Sequence, residues 1–342
     1  MKDFRTLSLE QLEDFFVSIN EKPFRARQVY DWIWSKNAHS IDEMTNLSKS
    51  LREKLSEHFL INPAKIHVMQ RSQDGTIKNA VRLFDDSVVE SVMIPTAKRT
   101  TACISSQVGC SLDCTFCATA RLARMRNLTS AEIIDQIILI DKQSREFHQK
   151  PLSNIVFMGM GEPLLNYNAV TEAVRKITEN TGLGMSARRI TLSTSGIPKM
   201  ITMLADENLK VKLALSLHSA IEEKRRRLMP FSVKFPLADI MEALQYWYRQ
   251  TKSRITFEYI VWQGINDGEE DIKALIKYCK KVPCKVNLIQ YNAIDGGDFR
   301  QASDKAVENY VRQLEEHAVT VKIRKSRGAD IDAACGQLAN KH

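Results

Sequence analysis

The alternation of strand and helix patterns after about residue 100 constrains the fold of this chain most strongly. Six segments rich in Val, Ile or Leu are each followed by a helical pattern, as parallel βα units require. They read TTACISS, NIVFMGM, RRITLST, KVKLALSL, RITFEYIV and CKVNLIQY. The pattern predicts an α/β fold with a partial, TIM-like (βα)6 barrel. A chain of 342 residues is long enough for that core and for a small further domain.

The sequence on either side of the barrel predicts smaller units. Residues 1–60 carry apolar side chains at helical spacing and predict a helical accessory domain. Residues 61–95 alternate polar and apolar residues around the turn signal QDGT, which predicts a short extension of antiparallel strands. The barrel is then expected over residues 96–329, and residues 330–342 form a C-terminal tail rich in Gly and Ala.

Composition and charge restrict the class of protein. The N-terminus lacks the apolar run of a signal peptide and no segment reaches the length of a membrane span, so we expect a cytoplasmic protein without a membrane partner. The net charge is +8, and basic residues are concentrated in RLARMR (121–126), EEKRRRLM (222–229) and VKIRKSRG (321–328). Such clusters favour a polyanionic partner, while charge alone fits a solvated surface equally well.

Four of the seven cysteines lie within fifteen residues, and three of them form a C-x3-C-x2-C motif: Cys110, Cys114 and Cys117. In a reducing compartment such a group indicates a metal site or redox chemistry rather than a disulfide framework. Structural zinc takes four ligands, often as two C-x2-C pairs, and no second pair follows, so zinc is the minor alternative. Three thiolates that hold a 4Fe–4S cluster leave one iron open to a small molecule.

The motif, with Phe116 before its last cysteine, resembles the signature of the radical S-adenosylmethionine (SAM) superfamily. The segment MGMGEPLLN resembles the glycine-rich element of that superfamily, which implies that Gly161 and Glu162 meet the amino group of the cofactor's methionine part. A hydrogen-bonded structural histidine is the alternative for the His of ALSLHS. Polar strand ends supply the other implied cofactor contacts, namely Ser193, Ser216, Leu217, His218 and Asn292.

Motifs along nearly the whole chain are similar to the RlmN and Cfr family of radical SAM RNA methyltransferases. They are VESVMIP, CISSQVGC, MGMGEPLLN, TLSTSG, ALSLHS, VNLIQYN and DIDAACGQL. The resemblance is greater to RlmN and implies methylation of adenosine C2, in 23S rRNA at the peptidyl transferase centre and in tRNA 3′ of the anticodon. A Cfr-like enzyme that methylates C8 of an rRNA adenosine is the alternative. An RNA-binding module with a structural metal is a more remote one.

The resemblance also implies roles for three further residues. One SAM methylates Cys335, and a second SAM, cleaved to a radical, activates that methyl group for addition to an adenine ring too electron-poor to attack a sulfonium. Cys103 then releases the RNA by attack on the Cys335 sulfur, which leaves a transient disulfide. Glu90 accepts the ring proton, although the pattern alone would place this glutamate on the solvent face of a strand.

The remaining expectations concern partners and two other cysteines. The resemblance implies an electron donor such as a flavodoxin system, besides the RNA substrates, and we expect a monomer. Cys279 and Cys284 match no family motif, and we expect them to be apolar packing residues.

Overall fold

The computed structural model describes residues 1–179 and 182–340, and its first part is a helical unit with a core of its own. The elements of this unit are β1 (Lys2–Asp3), α1 (Leu9–Ser18), α2 (Phe24–Trp34), α3 (Lys49–His58) and β2 (Phe59–Leu60). Ser8 caps α1, because its hydroxyl accepts a hydrogen bond from the Gln11 amide. The helices enclose apolar side chains such as Phe4, Phe16 and Leu55.

Three antiparallel strands follow, as the sequence predicts: β3 (Lys65–Arg71), β4 (Ile77–Arg82) and β5 (Val88–Pro95). The structure adds that they are continuous with the main sheet. Strand β5 pairs antiparallel with β6 (Thr100–Cys103), and Val92 lies opposite Cys103. The extension and the barrel therefore share one ten-stranded sheet.

The main sheet continues from β6 with parallel strands. The remaining strands are β7 (Gln107–Val108), β8 (Arg126–Asn127), β9 (Asn154–Phe157), β10 (Ile190–Thr194), β11 (Lys212–Ser216), β12 (Ile255–Ile260), β13 (Cys284–Ile289) and β14 (Thr320–Arg324). The six predicted strands, β6 and β9 to β13, are confirmed and neighbour one another in chain order. A seventh parallel strand was not counted from the sequence: β14 pairs with β13. Strands β7 and β8 form a separate antiparallel ribbon.

Helices connect the parallel strands and pack against them. They are α4 (Ser130–His148), α5 (Tyr167–Thr178), α6 (Pro198–Asp206), α7 (Glu222–Leu228), α8 (Leu237–Thr251), α9 (Glu269–Cys279) and α10 (Asp304–Glu316). A capping box begins α4, in which Thr129 and Glu132 each accept a hydrogen bond from the other's amide. Cys279 and Cys284 are buried in the main core, as predicted. No helix within the described residues is both long and apolar enough to cross a membrane.

A buried ion pair joins the helical unit to the main body. Arg5 Nη1 lies 2.8 Å from both carboxylate oxygens of Asp135 on α4, and the two side chains are only 7% and 8% exposed. The same carboxylate accepts a hydrogen bond from the Ala64 amide at 2.8 Å. Burial raises the pKa of Asp135, and the Arg5 charge opposes that shift. The chain before β3 is therefore fixed to α4 by a buried ion pair, and removal of either side chain would leave the other as an unpaired buried charge.

We expect Asp135→Asn to lower the free energy of unfolding by about 3 kcal/mol, because it leaves the buried Arg5 guanidinium without its main partner. Urea unfolding of variant and parent measures the difference. Glu53→Gln is the matched control, since it removes the exposed ion pair with Lys49 and should cost less than about 0.5 kcal/mol. Equal losses of unfolding free energy in the two variants would show that the buried ion pair contributes no more to stability than the exposed one.

The C-terminal segment links the two edges of the sheet. After β14, the Gly328 amide donates a hydrogen bond to Asp74 Oδ2 at 3.1 Å. Asp330 Oδ1 accepts one from the Ser72 hydroxyl at 2.6 Å. Asp74 and Ser72 lie in the turn between β3 and β4, at the opposite edge from β14. The tail is thereby held across the open side of the sheet.

Candidate active site

Two adjoining cavities lie at the carboxyl ends of the parallel strands, where α/β folds of this kind place their chemistry. We call the first the Glu162 cavity; its volume is about 150 Å³ and five predicted cofactor residues line it, namely Gly161, Glu162, Ser193, Ser216 and His218. We call the second the Cys103 cavity; its volume is about 330 Å³, and Cys103 lines it together with Arg99, Lys325 and Arg327. The two cavities share part of their walls, including Cys117, Arg324, Cys335 and Gly336.

Two predicted cofactor residues do not line the Glu162 cavity. Leu217 is fully buried, and its amide donates a hydrogen bond to the Glu258 carbonyl oxygen at 3.0 Å. Asn292 Nδ2 lies 3.3 Å from the carbonyl oxygen of Cys335, to which it donates. Asn292 therefore contacts the tail in this structure.

The loop that carries Cys110, Cys114 and Cys117 is fixed at both ends. Gly109 begins it with φ +74°, and a Cβ there would lie 2.3 Å from the Ala123 carbonyl oxygen, so the close approach of the chains requires glycine. Further along, the Thr115 amide and hydroxyl donate hydrogen bonds of 3.0 and 3.1 Å to the Leu228 carbonyl oxygen at the end of α7. The loop is thus held against the barrel mouth by backbone contacts.

The donor set of this loop fits a 4Fe–4S cluster. Burial raises the pKa of Cys110 to about 11 and that of Cys114 well above its ordinary value, and neighbouring cysteines add to both shifts. The thiols of Cys110 and Cys114, whose pKa values are raised, ionise more readily once a cation binds their sulfur atoms. Within the described residues, no three His, Cys, Asp or Glu side chains are arranged to hold one metal ion. A 4Fe–4S cluster binds each thiolate through a different iron.

Glu162 places a fixed carboxylate in the cavity that bears its name. Its Oε2 accepts a hydrogen bond from the Ser195 amide at 2.8 Å, and its Oε1 accepts one from the Leu164 amide at 3.1 Å. Gly161, at φ +94°, leaves no room for a side chain, since a Cβ would lie 2.5 Å from Gln107. Burial raises the pKa of Glu162, and the amide donors oppose the shift. A buried, oriented carboxylate of this kind suits an ammonium ligand.

His218 contributes a neutral aromatic surface to the same cavity. Burial, with the nearby Arg225 charge, lowers its pKa to about 3. Its Nδ1 accepts a hydrogen bond from the Ile260 amide at 3.3 Å, in the tautomer that carries the proton on Nε2. The ring packs edge-on against Phe116, with centroids 4.8 Å apart. The geometry is that of a hydrogen-bonded histidine that also borders the cavity.

Cys103 and Cys335 differ in position. Cys103 ends β6, is 8% exposed and borders only the Cys103 cavity, whereas Cys335 is exposed to both cavities. Burial raises the pKa of Cys103 to about 12; the neighbouring Cys335 adds to this shift and Arg324 opposes it. Although Cys335 is open to the cavities, the protein that encloses the junction disfavours its charged form and raises its pKa, again opposed by Arg324. Both thiols are free in the structure.

Glu90 lies outside the walls of both cavities. Its side chain is completely buried, so the solvent-facing position suggested by the strand pattern is wrong. Its Oε2 accepts hydrogen bonds from the Ala339 amide at 2.8 Å and from the Asn340 amide at 3.1 Å, and its Oε1 lies 3.4 Å from Lys78 Nζ. The carboxylate is therefore bound to the tail that carries Cys335.

The three basic clusters of the sequence are only partly on the surface. Arg225 is buried, and its Nη2 donates to the Ser195 carbonyl oxygen at 2.6 Å. Arg324 pairs with Glu258 at 3.2 Å. The cluster VKIRKSRG nevertheless signals the site, because Arg324, Lys325 and Arg327 line the Cys103 cavity. The sequence indicates phosphate contacts for these basic residues in general and does not place them beside Cys103 and Cys335.

Comparison with known proteins agrees with this architecture. The family model of the ribosomal RNA large subunit methyltransferase N-terminal domain matches residues 2–61, and that of the radical SAM superfamily matches residues 104–279. A probable dual-specificity RNA methyltransferase RlmN from Flavobacterium johnsoniae is 64% identical over 99% of this chain and 97% of its own length. The chain belongs to the RlmN family.

Other RlmN family members and a solved structure agree. A dual-specificity RNA methyltransferase RlmN from Marinobacter nauticus is 42% identical over 97% of this chain and 90% of its own. The crystal structure of a radical SAM methyltransferase from Sphaerobacter thermophilus has a TM-score of 0.93 and 36% identity, and the match covers both chains completely. The family and the fold class predicted from the motifs are confirmed. The superfamily match also bears out the predicted cofactors, a 4Fe–4S cluster and SAM.

Proposed function

We propose that this radical SAM RNA methyltransferase methylates C2 of adenosine in 23S rRNA, at the peptidyl transferase centre, and in tRNA, 3′ of the anticodon. The observation that carries this proposal is the position of Cys335 in a wall common to both cavities. A thiol in that position can receive a methyl group from a cofactor on one side and present it to a base on the other. Membership of the RlmN family supports the same substrates.

The Glu162 cavity is the proposed SAM site. The Glu162 carboxylate pairs with the methionine ammonium, Ser193 and Ser216 offer hydroxyls to the ribose or carboxylate, and the neutral His218 ring borders the cofactor. Cys110, Cys114 and Cys117 would hold the 4Fe–4S cluster, which would supply the electron for cleavage of the SAM sulfonium. The resemblance also assigns Leu217 and Asn292 to the cofactor. Neither residue lines this cavity, so their role stays a prediction.

The Cys103 cavity is the proposed adenosine site. Arg99, Lys325 and Arg327 surround it with positive charge that can hold the phosphates on either side of the target nucleotide. The base must leave its stack to enter the cavity, which places its ring beside Cys103 and Cys335. The separation of the two cavities keeps cofactor and base on opposite sides of the thiol that serves both.

Each working residue then has one task in the proposed reaction. One SAM would supply the methyl group, and a second SAM, once cleaved, would supply the 5′-deoxyadenosyl radical that takes a hydrogen atom from that group. Cys335 accepts the methyl group as a thiolate nucleophile and carries the carbon to C2. The resemblance assigns acceptance of the ring proton to Glu90, whose carboxylate lines neither cavity in this structure. The unpaired electron that the addition leaves on the adenine would pass back to the cluster. Cys103 attacks the Cys335 sulfur, the bond from that sulfur to the transferred carbon breaks, and that carbon takes up a proton to complete the methyl group. The resulting disulfide is reduced before the next turnover.

The product distinguishes this proposal from the Cfr-like alternative. Reconstituted enzyme is incubated anaerobically with SAM, a reductant and unmodified 23S rRNA or tRNA, and the digested RNA is analysed by mass spectrometry against both methyladenosine standards. We expect 2-methyladenosine from both RNAs. A product of 8-methyladenosine without 2-methyladenosine would assign the chain to the alternative, and no methylation by iron-loaded protein would favour the binding module.

We expect Glu162→Gln to weaken SAM binding about 10- to 100-fold, because it removes the charge that pairs with the ammonium and keeps the shape of the side chain. Isothermal titration calorimetry of the reconstituted protein measures the change. The control is 5′-methylthioadenosine, which has no ammonium group, and its affinity should be the same in the variant and the parent. A loss of affinity for both ligands would instead indicate a collapsed cavity.

The remaining assignments concern partners and domains. Residues 1–60 are the proposed RNA-binding accessory domain, residues 61–95 the β extension, residues 96–329 the barrel and residues 330–342 the tail. A flavodoxin-type system is the proposed electron donor. The enzyme is proposed to work as a cytoplasmic monomer.

A further inference from the structure

After Cys335, the tail is fastened by hydrogen bonds to the residues that follow Cys117. The Gly336 carbonyl oxygen accepts one from the Ala118 amide at 2.8 Å, next to the last cluster cysteine. The Leu338 carbonyl oxygen accepts one from the Thr119 hydroxyl at 2.6 Å. These contacts hold residues 336–338. A terminal segment stays ordered only where its backbone groups are bound, so the contacts of Ala339 and Asn340 add to the order of residues 336–338.

Glu90 supplies those last contacts from inside the sheet. One carboxylate oxygen accepts hydrogen bonds from both amides, Ala339 at 2.8 Å and Asn340 at 3.1 Å. The Asn340 side chain adds a bond of 2.9 Å to the Val88 carbonyl oxygen, two residues before Glu90 on β5. Hydrogen bonds from amides to a carboxylate are about twice as strong as those between neutral groups. The two backbone amides of Ala339 and Asn340 therefore depend on a single carboxylate oxygen atom.

Lys78 supplies a positive charge that stabilises this buried carboxylate. Its Nζ lies 3.4 Å from Glu90 Oε1, and the two side chains are 4% and 0% exposed. In the sheet, Ala80 lies opposite Glu90 and Lys78 opposite Val92, so Lys78 and Glu90 are diagonal neighbours on one face. Val92 in turn lies opposite Cys103, which places all these side chains on the same face. Without Lys78, the Glu90 charge would have no buried counter-charge from its neighbouring strand.

We propose that Lys78 and Glu90 form an anchor for the C-terminal tail and thereby hold Cys335 at the junction of the two cavities. This inference rests on the proposed function, because it presumes that the position of Cys335 matters for methyl transfer. Lys78 is then a positioning residue, and Glu90 has a structural task in addition to proton acceptance. The two tasks need different properties: the anchor needs an oxygen acceptor, whereas proton acceptance needs a carboxylate.

Four variants of the reconstituted full-length enzyme separate these tasks. Glu90→Ala removes the acceptor, Glu90→Gln keeps an acceptor but not a base, and Lys78→Met removes the counter-charge. Lys65→Met is the control, since Lys65 is an exposed lysine on the adjacent strand β3. Hydrogen–deuterium exchange of the C-terminal peptide, which needs no catalysis, reports whether the tail is docked.

We expect exchange of the C-terminal amides to be about 10- to 100-fold faster in Glu90→Ala and Lys78→Met, the factor expected for loss of charge-assisted hydrogen bonds. Glu90→Gln should stay closer to the parent than Glu90→Ala, and Lys65→Met should equal the parent. If Lys78→Met or Glu90→Ala fails to fold, a chain that ends at Leu338 tests the same point. That shortened chain leaves the core intact, and we expect fast exchange in its remaining tail. Unchanged exchange in the folded variants would overturn the anchor.

Methylation of Cys335, read as a mass increase of the intact protein, provides the second readout. We expect Glu90→Ala to lower the rate of this first step at least about tenfold and Glu90→Gln to restore most of it, because the step involves no adenine proton. Normal Cys335 methylation in Glu90→Ala would leave Glu90 as a proton acceptor alone and overturn the inference. Absence of Cys335 methylation in the parent enzyme would contradict the proposed function instead, and the exchange result would still decide the anchor.

Discussion

Cys335→Ala is expected to abolish methyl transfer to RNA, with a loss of at least about 10³-fold, because a covalent route loses its nucleophile. Two thiols border both cavities, Cys335 and Cys117, and the second belongs to the iron-binding motif. Cys103 borders only the adenosine side and cannot replace Cys335 as the methyl carrier. The measurement is 2-methyladenosine formed per enzyme under single- and multiple-turnover conditions.

The matched control for that loss is Cys279→Ala. Cys279 is a buried core cysteine that lies outside both cavities. Its replacement leaves the site intact, so activity should remain within about twofold of the parent at a temperature where both proteins are folded. Full methyl transfer by Cys335→Ala would refute the two-cysteine mechanism and leave a direct transfer from SAM as the alternative.

Cys103→Ala is expected to stop the reaction one step later, with most of the protein covalently joined to RNA. Cys335 is still methylated and its carbon still reaches the base, but no thiol remains to attack the Cys335 sulfur. Within the described residues, three cysteines line the Cys103 cavity: Cys103, Cys335 and the cluster-motif cysteine Cys117. Denaturing gels and intact mass spectrometry of the protein after nuclease digestion detect the adduct.

The adduct discriminates between the two cysteines. Cys335→Ala should give none, Cys279→Ala should give as little as the parent enzyme, and only Cys103→Ala should accumulate it. Repeated turnover by Cys103→Ala, with free 2-methyladenosine product and no adduct, would show that another group releases the RNA.

Sequence patterns predict the elements of this structure that are specified by residues close together in the chain. The six barrel strands, the capping box at Thr129 and the C-x3-C-x2-C loop each depend on residues close together in the chain. The pairing of β14 with β13 as a seventh parallel strand, and the course of the tail, depend on residues far apart in the chain. Asp330 binds Ser72 across 258 positions, and no short pattern of either segment indicates the partner.

The candidate site shows the same division. The motifs identified Glu162 and the cysteines, but alternation along β5 gives only the face on which Glu90 lies and not what covers that face. The covering group is the tail, which arrives from the other end of the chain. The burial of a charged residue is equally hard to predict. Three successive arginines in the sequence indicate a surface cluster, but Arg225, one of them, is fully buried. Burial of a charge depends on partners that are distant in sequence.

Isotope tracing tests most directly whether the RNA methyl group passes through Cys335 by a radical step. Enzyme is first methylated with SAM that carries a trideuterated methyl group, freed of that SAM, and then given unlabelled SAM, RNA and a strong reductant under strictly anaerobic conditions. We expect 5′-deoxyadenosine that carries one deuterium atom and 2-methyladenosine that carries two. Iron-loaded enzyme that forms no 5′-deoxyadenosine, or forms it without deuterium while still methylating the RNA, would contradict a radical step at the Cys335 methyl group.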